Sequence, residues 1–276
     1  MSQPPTLIPG PTRVPLSFGL FSAVPPRNDP ADMNRWVLGG LQFESPWMPY
    51  SDPDSGETSI RVKIVDCESA EGPLPPVDAG LTTFETSLVF VVEAGFSCTP
   101  VGVTLEQAQD IASQRLLERE EAAVERAIRQ GATDPSLVGP EVQEFSTSNR
   151  LRAFSWLDQN MAQDYGVQGT VLTSRAGALA GIKESLVSSR GGRLSTELGI
   201  PLAAASGLTP WTQIDSDEMI LEYFGLPPMV IYRSGIFTFP SEEIFDRGEN
   251  NAQVVAQRYY AVGFDGGGIY KATVTS

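Results

Sequence analysis

One stretch of the sequence constrains the fold more than any other. After Thr104 comes a long run without glycine or proline, LEQAQDIASQRLLEREEAAVERAIRQ, made mostly of strong helix formers. Thr104 and Gln107 occupy the first and last positions of an S/T-x-x-E/Q capping box, and Gly131 supplies a stop signal. The sequence therefore predicts a long helix over 104–130.

The apolar side chains of this helix are expected to form one stripe that faces the core. Its members are Leu105, Ala108, Ala112, Leu116, Ala123 and Ala127, widened by Leu117, Val124 and Ile128. Most other positions are charged or polar, so we expect that side to meet solvent or a neighbouring chain. Charges of both signs over 115–129 favour i,i+4 pairs over a stripe that binds nucleic acid.

An extended arm and a hairpin are predicted before the helix. The first 30 residues hold eight of the 22 prolines, which remove backbone donors and fix φ. The apolar stretch 17–24 favours an arm that lies across another surface. Strands are predicted at 35–45 and 58–66. The polar PWMPYSDPDSGE between them predicts a long hairpin with a large tip.

The remaining elements alternate between the two kinds of secondary structure. We predict a buried strand at 84–93, an irregular stretch at 133–144, helices at 149–165 and 175–187, and strands at 167–174, 199–207, 229–232, 236–239, 257–264 and 268–274. A turn that closes on a strand is expected at 188–196, and the glycines of 263–268 predict a hairpin turn between the last two strands. This order of elements predicts an α+β fold.

The charge balance and the missing histidine exclude several classes of function. There are 19 Lys and Arg against 34 Asp and Glu, a net charge of −15, and no His. Ser-His-Asp or Cys-His catalysis and His-containing metal sites are therefore impossible. The strong acidity argues against electrostatic binding of nucleic acid. Cys67 and Cys98 are predicted to be buried free thiols, and the N-terminus lacks the pattern of a signal peptide.

Two acidic clusters could carry chemistry, and a simpler explanation is preferred for each. The stretch 52–56 (DPDSG) resembles the opening of a calcium loop, but its glycine comes one position too early. Asp215, Asp217 and Glu218 could form an acid–base pair or a metal site. Solvated turns explain both clusters, so we predict no catalytic residue, no metal and no cofactor.

The order of the elements carries a resemblance. The stretches that carry it are GLFS at 19–22, GLQFE at 40–44, AGFSCTPVG at 94–102, GGRLSTELGIPL at 191–202 and RYYAVGFD at 258–265. Together with the arm, the hairpin and the long helix, they resemble the major capsid proteins of tailed bacteriophages, which have the Hong-Kong-type fold. The local sequence is similar to head proteins of phages that infect actinobacteria.

The resemblance implies a division of the chain. Residues 1–34 would be the N-terminal arm, 35–100 the E-loop hairpin with its lead-in strand, 101–134 the spine helix of the P-domain, 135–212 the A-domain, and 213–276 the return strands. Candidate assembly contacts are Phe21, Trp36, Phe43, Trp47, Lys63, Arg115, Glu118, Arg119, Glu121, Glu125, Arg126 and Arg129. Lys63 is the one candidate for a covalent cross-link, and we expect none to form.

The function that the resemblance implies is assembly. The chain would form the icosahedral head shell around double-stranded DNA, as hexamers and pentamers of itself, in the virion after assembly in the host cytoplasm. Portal, separate scaffolding and decoration proteins would be its partners, without sequence-specific DNA binding, membrane or enzymatic activity. Three alternatives stay open: a tail or decoration subunit, an encapsulin-like nanocompartment shell, and a carboxylate-dependent enzyme that uses residues 215–218.

Overall fold

A computed structural model of the chain describes residues 16–28, 42–45, 83–86, 88–98, 104–133, 142–208, 220–240, 252–265 and 268–275. The helices are α1 (Leu20–Ala23), α2 (Leu105–Thr133), α3 (Arg150–Tyr165) and α4 (Arg175–Lys183). The first strands are β1 (Arg27–Asn28), β2 (Gln42–Ser45), β3 (Thr83–Thr86), β4 (Leu88–Cys98), β5 (Val142–Thr147), β6 (Thr170–Ser174) and β7 (Val187–Arg190). They are followed by β8 (Arg193–Thr196), β9 (Pro201–Ala205), β10 (Ile220–Leu226), β11 (Met229–Arg233), β12 (Phe237–Pro240), β13 (Ala252–Phe264) and β14 (Ile269–Thr275).

Helix α2 packs against a five-stranded sheet. Strand β4 runs antiparallel along one edge of β13, while β12 and β11 share the other edge and β1 adds to β11 in parallel. The helix lies on β4 and β13. Its residues Ala108, Ala112, Leu116, Val124 and Ile128 are buried there. Burial of this stripe, rather than helix propensity alone, holds a helix of this length in place.

The predicted start of α2 is confirmed, but its end and part of its stripe differ. The Thr104 hydroxyl accepts the Gln107 N–H at 3.2 Å and the Gln107 side chain accepts the Thr104 N–H at 3.0 Å, which is the capping box. The helix continues through Gly131 to Thr133 because one glycine costs only about 1 kcal/mol.

Two leucines predicted for the buried stripe are exposed. Leu105 is 55% exposed because it is the first residue of α2. Leu117 is 51% exposed because it lies about 100° around the helix from the buried Leu116. The core of this half of the molecule therefore follows a narrower series of positions, spaced four residues apart.

A seven-stranded sheet forms the second half of the fold, in the order β5-β14-β10-β6-β9-β8-β7. Helices α3 and α4 pack on it. Asn149 caps α3 by accepting the Arg152 N–H at 3.1 Å, and Gly166 ends that helix with a φ of 60°. Buried residues of α3, among them Phe154 and Leu157, form a second core with Tyr223 and Tyr270 of the sheet.

The structure confirms the α+β class and corrects several local predictions. Strand β5 begins inside the stretch predicted to be irregular, and β10 was not predicted. Both are held by distant partners: β5 pairs in parallel with β14, and β10 lies between β14 and β6. The strand predicted at 84–93 is divided into β3 and the longer β4, and α4 ends before Val187, which begins β7.

The predicted hairpin turn at 263–268 is wrong. Strand β13 belongs to the five-stranded sheet and β14 to the seven-stranded one, so the glycine-rich stretch leads from one sheet to the other. The Asp265 N–H donates to the Pro228 carbonyl at 2.8 Å, which fixes the end of β13. A local turn signal could not reveal this, since strand pairing depends on residues distant in sequence.

Part of the predicted E-loop hairpin lies outside the described residues. The segment 58–66 and the polar tip between the two predicted strands are not described. Strand β2, inside the predicted 35–45 strand, pairs antiparallel with β3. No described helix has both the length and the apolar character needed to cross a membrane.

Candidate functional site

The N-terminal segment, defined here as residues 16–28, contacts both sheets. Leu20 of α1 is fully buried in the core that α2 covers. Just before it, the Phe18 carbonyl accepts the N–H of Ala204 in β9 at 2.7 Å. At the far end, β1 pairs with β11. The surface that these residues lie across is therefore part of their own chain, and the segment joins its two halves.

Glu125 of α2 is the central group of this contact. One carboxylate oxygen accepts the Leu20 N–H at 3.1 Å. The other accepts the N–H groups of Ser206 and Gly207, each at 2.8 Å, just after β9. The side chain is 0% exposed. A single buried carboxylate thus ties together α2, the N-terminal segment and the seven-stranded sheet.

Glu121, one helical turn earlier, makes the second tie. Its Oε1 accepts the N–H of Phe21 at 2.7 Å. Gly19 lies so close that a Cβ there would be 2.3 Å from the same oxygen, and the Glu121 side chain would have to shift to accommodate it. The ring of Phe21 stacks with Tyr260, with 6.3 Å between centroids. Glu121 and Glu125 are called the docking carboxylates below.

Burial shapes the electrostatics of the docking carboxylates. Loss of hydration raises the pKa of Glu125, and the N–H donors of Gly207, Leu20 and Ser206 partly offset this rise. The pKa of Glu121 is raised mainly by burial, despite the hydrogen bond from Phe21, and the neighbouring charges of Glu125 and Glu120 raise it further. Backbone N–H groups therefore keep two acidic groups side by side in the interior.

Glu120 forms a third buried contact, on the five-stranded sheet. Its Oε2 accepts hydrogen bonds from the hydroxyl of Tyr260 and from Nη1 of Arg258, both at 2.7 Å. Its Oε1 accepts Nη1 of Arg233 at 3.3 Å, and Nε of the same arginine donates to Asn28 at 2.9 Å. The end of the N-terminal segment is thereby linked to α2 through one arginine.

The sequence predicts that the charged side of the helix faces outward, whereas Glu120 and Glu125 are buried. Glu120 was not among the candidates, although it continues the four-residue series of buried positions from Leu116 to Val124. That spacing was the signal that could have found it. Glu125 was predicted as an assembly contact, and this is wrong for a fully buried side chain whose oxygens both bind its own chain.

The remaining charged candidates on α2 divide into two groups. Arg115, Glu118, Arg119 and Arg126 are exposed. Of these, Arg115 lies over the ring of Phe96 at 4.8 Å and donates to the Gly95 carbonyl at 3.1 Å. Arg129 is half-buried and pairs with Glu222 of β10 at 2.7 Å, so it joins α2 to the seven-stranded sheet.

Several candidates cannot be placed. Trp36, Trp47 and Lys63 lie outside the described residues, as do both acidic clusters that the sequence singled out, and Phe43 is placed only as a backbone position in β2. Among the described residues, no three His, Cys, Asp or Glu side chains are grouped so that they could hold a metal ion. The geometry shown is that of carboxylates holding chain segments together.

Comparisons with known proteins concern the fold. No protein-family model and no curated protein matches the chain. Among solved structures, the capsid of an empty GTA particle matches 100% of this chain and 96% of that chain, at 11% identity and a TM-score of 0.53. A virus-like particle from Pyrococcus furiosus matches over 92% and 91%, at 10% identity and a TM-score of 0.50.

A structure from Mycobacterium phage Ogopogo also matches, over 99% of this chain and 97% of that chain, at 12% identity and a TM-score of 0.47. The sequence predicts an arm, a hairpin, a long helix, a mixed α/β region and closing strands. Among the described residues the helix, the mixed region and the closing strands follow in that order, and part of the hairpin lies outside them. Over almost its whole length, the chain has the α+β, Hong-Kong-type fold of the GTA capsid protein and the virus-like particle protein.

Proposed function

We propose that this chain is a structural protein that assembles with copies of itself into the icosahedral head shell of a tailed phage, around double-stranded DNA. The observation that carries the proposal is the agreement in fold with the GTA capsid over 100% of this chain and 96% of that chain.

The geometry of the described residues supports a structural role. Glu120 and Glu125 are buried carboxylates, and their oxygens accept hydrogen bonds from the N-terminal segment, from the end of β9 and from β13. They fix the N-terminal segment and the two sheets in one arrangement. A subunit that meets many identical neighbours needs such a fixed arrangement, because each contact is repeated around a closed shell.

In this proposal the division of the chain follows the family. Residues 1–34 are the N-terminal arm, 35–100 the E-loop hairpin and lead-in strand, 101–134 the spine helix, 135–212 the A-domain and 213–276 the return strands. The assembly contacts are Phe21, Trp36, Phe43, Trp47, Lys63, Arg115, Glu118, Arg119, Glu121, Arg126 and Arg129. Glu121 and Arg129 would contribute through the part of each side chain that remains accessible.

The partners and the location belong to the same proposal. Hexamers and pentamers of the chain form the shell, with a portal, a separate scaffolding protein and decoration proteins, and the shell is built in the host cytoplasm. The protein has no enzymatic role. The net charge of −15 fits a wall that encloses DNA without binding it.

Sedimentation velocity and negative-stain microscopy test the proposal. The full chain is expressed alone and together with the proteins encoded beside it, and both preparations are examined at several protein concentrations. We expect closed particles or capsomers. A small, stable monomer in both preparations overturns the proposal, and metal-dependent turnover lost in Asp217→Ala would favour an enzyme instead.

A further inference from the structure

The hairpin of β7 and β8 ends in two arginines that face each other. Arg190 and Arg193 are direct cross-strand partners, joined by Gly191 and Gly192 with φ of 58° and 78°. Positive φ at both central residues is the geometry of a tight hairpin turn, in which the flanking side chains share one face. Like charges placed directly opposite each other destabilise a sheet. The repulsion between the two arginines at this tip is therefore unfavourable for the hairpin.

Nothing in the described part of the chain neutralises this tip. Arg190 and Arg193 are both exposed, and neither forms an ion pair with a described residue. Other cations of the chain do have carboxylate partners: Arg129, Arg150, Arg233, Arg258 and Lys271. Other exposed arginines, such as Arg152, also form no ion pair with a described residue, but among the described strand pairs only Arg190 and Arg193 place two arginines directly opposite each other.

A groove opens beside the tip, and Arg193 lines it. The groove has a volume of about 250 Å³. Phe18, Ser22 and Ala23 of the N-terminal segment form one wall, and Leu202 of β9 contributes to the other. The lining combines apolar side chains with the polar groups of Ser22, Arg193 and Ser195, which suits a side chain that has an aliphatic body and a carboxylate end.

We propose that the Arg190–Arg193 tip and this groove bind a carboxylate-bearing segment of a second copy of this chain. The inference rests on the proposed function, which supplies neighbouring copies. Charge complementarity selects the occupant, because the chain has 34 acidic against 19 basic residues and so offers carboxylates to every neighbour. Duplex DNA fits less well, since two arginines neutralise few phosphates and the net charge of −15 repels a polyanion.

The docking carboxylates would influence this contact indirectly. One wall of the groove exists only while the N-terminal segment lies on its own chain, and Glu125 holds that segment through Leu20. The tip itself does not depend on the segment, because β7 and β8 are held by their own pairing and by β9. Substitution at the tip therefore separates the contact from the docking of the segment.

Arg193→Glu in the full chain is the sharpest test. It converts the like-charge pair with Arg190 into an ion pair within the hairpin, so the variant should fold at least as well as the wild type. The matched control is Arg152→Glu, at an exposed position in the first turn of α3, which changes the net charge equally. Assembled mass is measured by sedimentation velocity at two salt concentrations, and binding to duplex DNA is measured in parallel.

We expect Arg193→Glu to raise the concentration needed for assembly at least about tenfold, which corresponds to about 1.4 kcal/mol, with Arg152→Glu close to wild type. Equal assembly of the wild type and Arg193→Glu overturns this inference alone, and so does an equal loss in both variants. Unchanged assembly with weaker DNA binding overturns it in favour of a nucleic-acid contact. A wild-type chain that assembles neither alone nor together with the proteins encoded beside it overturns the proposed function as well.

Discussion

The carboxylate of Glu125 accepts the backbone N–H of Leu20 at 3.1 Å, across 105 positions of sequence. The same carboxylate accepts the N–H groups of Ser206 and Gly207. Three segments distant in sequence thus meet at one buried side chain, in the middle of the longest helix. Since hydrogen bonds to a charged group are roughly twice as strong as neutral ones, this junction organises the subunit.

Replacement of Glu125 by glutamine should loosen the N-terminal segment. Glutamine keeps one acceptor oxygen, while its amide group points a donor at the remaining backbone N–H groups. Either Leu20 or the Ser206–Gly207 pair loses its acceptor, at a cost of about 1–3 kcal/mol for a buried donor. Urea unfolding measures the loss of stability, and hydrogen exchange at the Leu20 amide shows whether the segment is released.

Glu197→Gln is the matched control for this substitution. Glu197 is exposed, and its backbone N–H, which donates to the Leu186 carbonyl, remains in the variant. Its stability should stay within about 0.5 kcal/mol of the wild type. Equal unfolding free energies for Glu125→Gln and the wild type would contradict the role assigned to the buried carboxylate.

Leu20 and Leu16 allow the apolar part of the same contact to be measured. Leu20 is 0% exposed, and Leu16, four residues earlier in the same segment, is 57% exposed. Leu20→Ala should cost about 2–5 kcal/mol through lost burial and a new cavity, whereas Leu16→Ala should cost little. Thermal unfolding followed by circular dichroism compares the two variants. Similar melting temperatures for both would mean that the segment is not packed as described.

The sequence predicts the long helix well because its signals are local. The capping box of Thr104 and Gln107 and the series from Ala108 to Ile128 are contained within the element itself. The partners of the strands, in contrast, are not indicated by local signals. Strand β5 pairs with β14, from the far end of the chain, and the glycine-rich stretch after β13 leads into another sheet, so no nearby residue indicated either arrangement.

The contacts of the candidate site also involve residues distant in sequence, so local signals did not predict them. Polarity marks Glu121 and Glu125 as surface residues by default, because charged groups are seldom buried without a partner. Their partners are backbone N–H groups of Phe21, Leu20 and Gly207, which every sequence possesses and which carry no signal of their own. The helical spacing from Leu116 to Val124 indicates burial of Glu120 alone, since Glu121 and Glu125 lie on the same row of the helix as the exposed Leu117.

Gly207 should not tolerate a side chain. A Cβ at this position would lie 2.0 Å from the backbone carbonyl oxygen of Ala122 in α2, so Gly207→Ala must push the helix and the end of β9 apart. The shift also strains the hydrogen bond from Gly207 to Glu125. We expect a loss of about 1–3 kcal/mol in urea unfolding.

Gly95→Ala is the matched control for that substitution. A Cβ at Gly95 in β4 meets nothing within 4 Å, and alanine reduces the conformational freedom of the unfolded chain. This variant should therefore be as stable as the wild type or slightly more stable. If both alanine variants unfold at the same denaturant concentration, the close approach of α2 and the end of β9 is not as described.

Asp158 on α3 should make the fold more stable in mild acid. Burial raises its pKa from 3.8 to about 6, and its Oδ1 has no hydrogen-bond partner in the described part of the chain. The folded state therefore holds this proton more tightly than the unfolded state. The contribution of Asp158 to the unfolding free energy rises as pH falls through 6 and is complete below about 4.

Asp158→Asn should gain about 1 kcal/mol at pH 7, a value reduced for partial exposure, and lose that advantage at pH 4. Urea unfolding at both pH values measures this, and an equal gain at pH 7 in Asp110→Asn, at an exposed position of α2, would assign the effect to net charge instead.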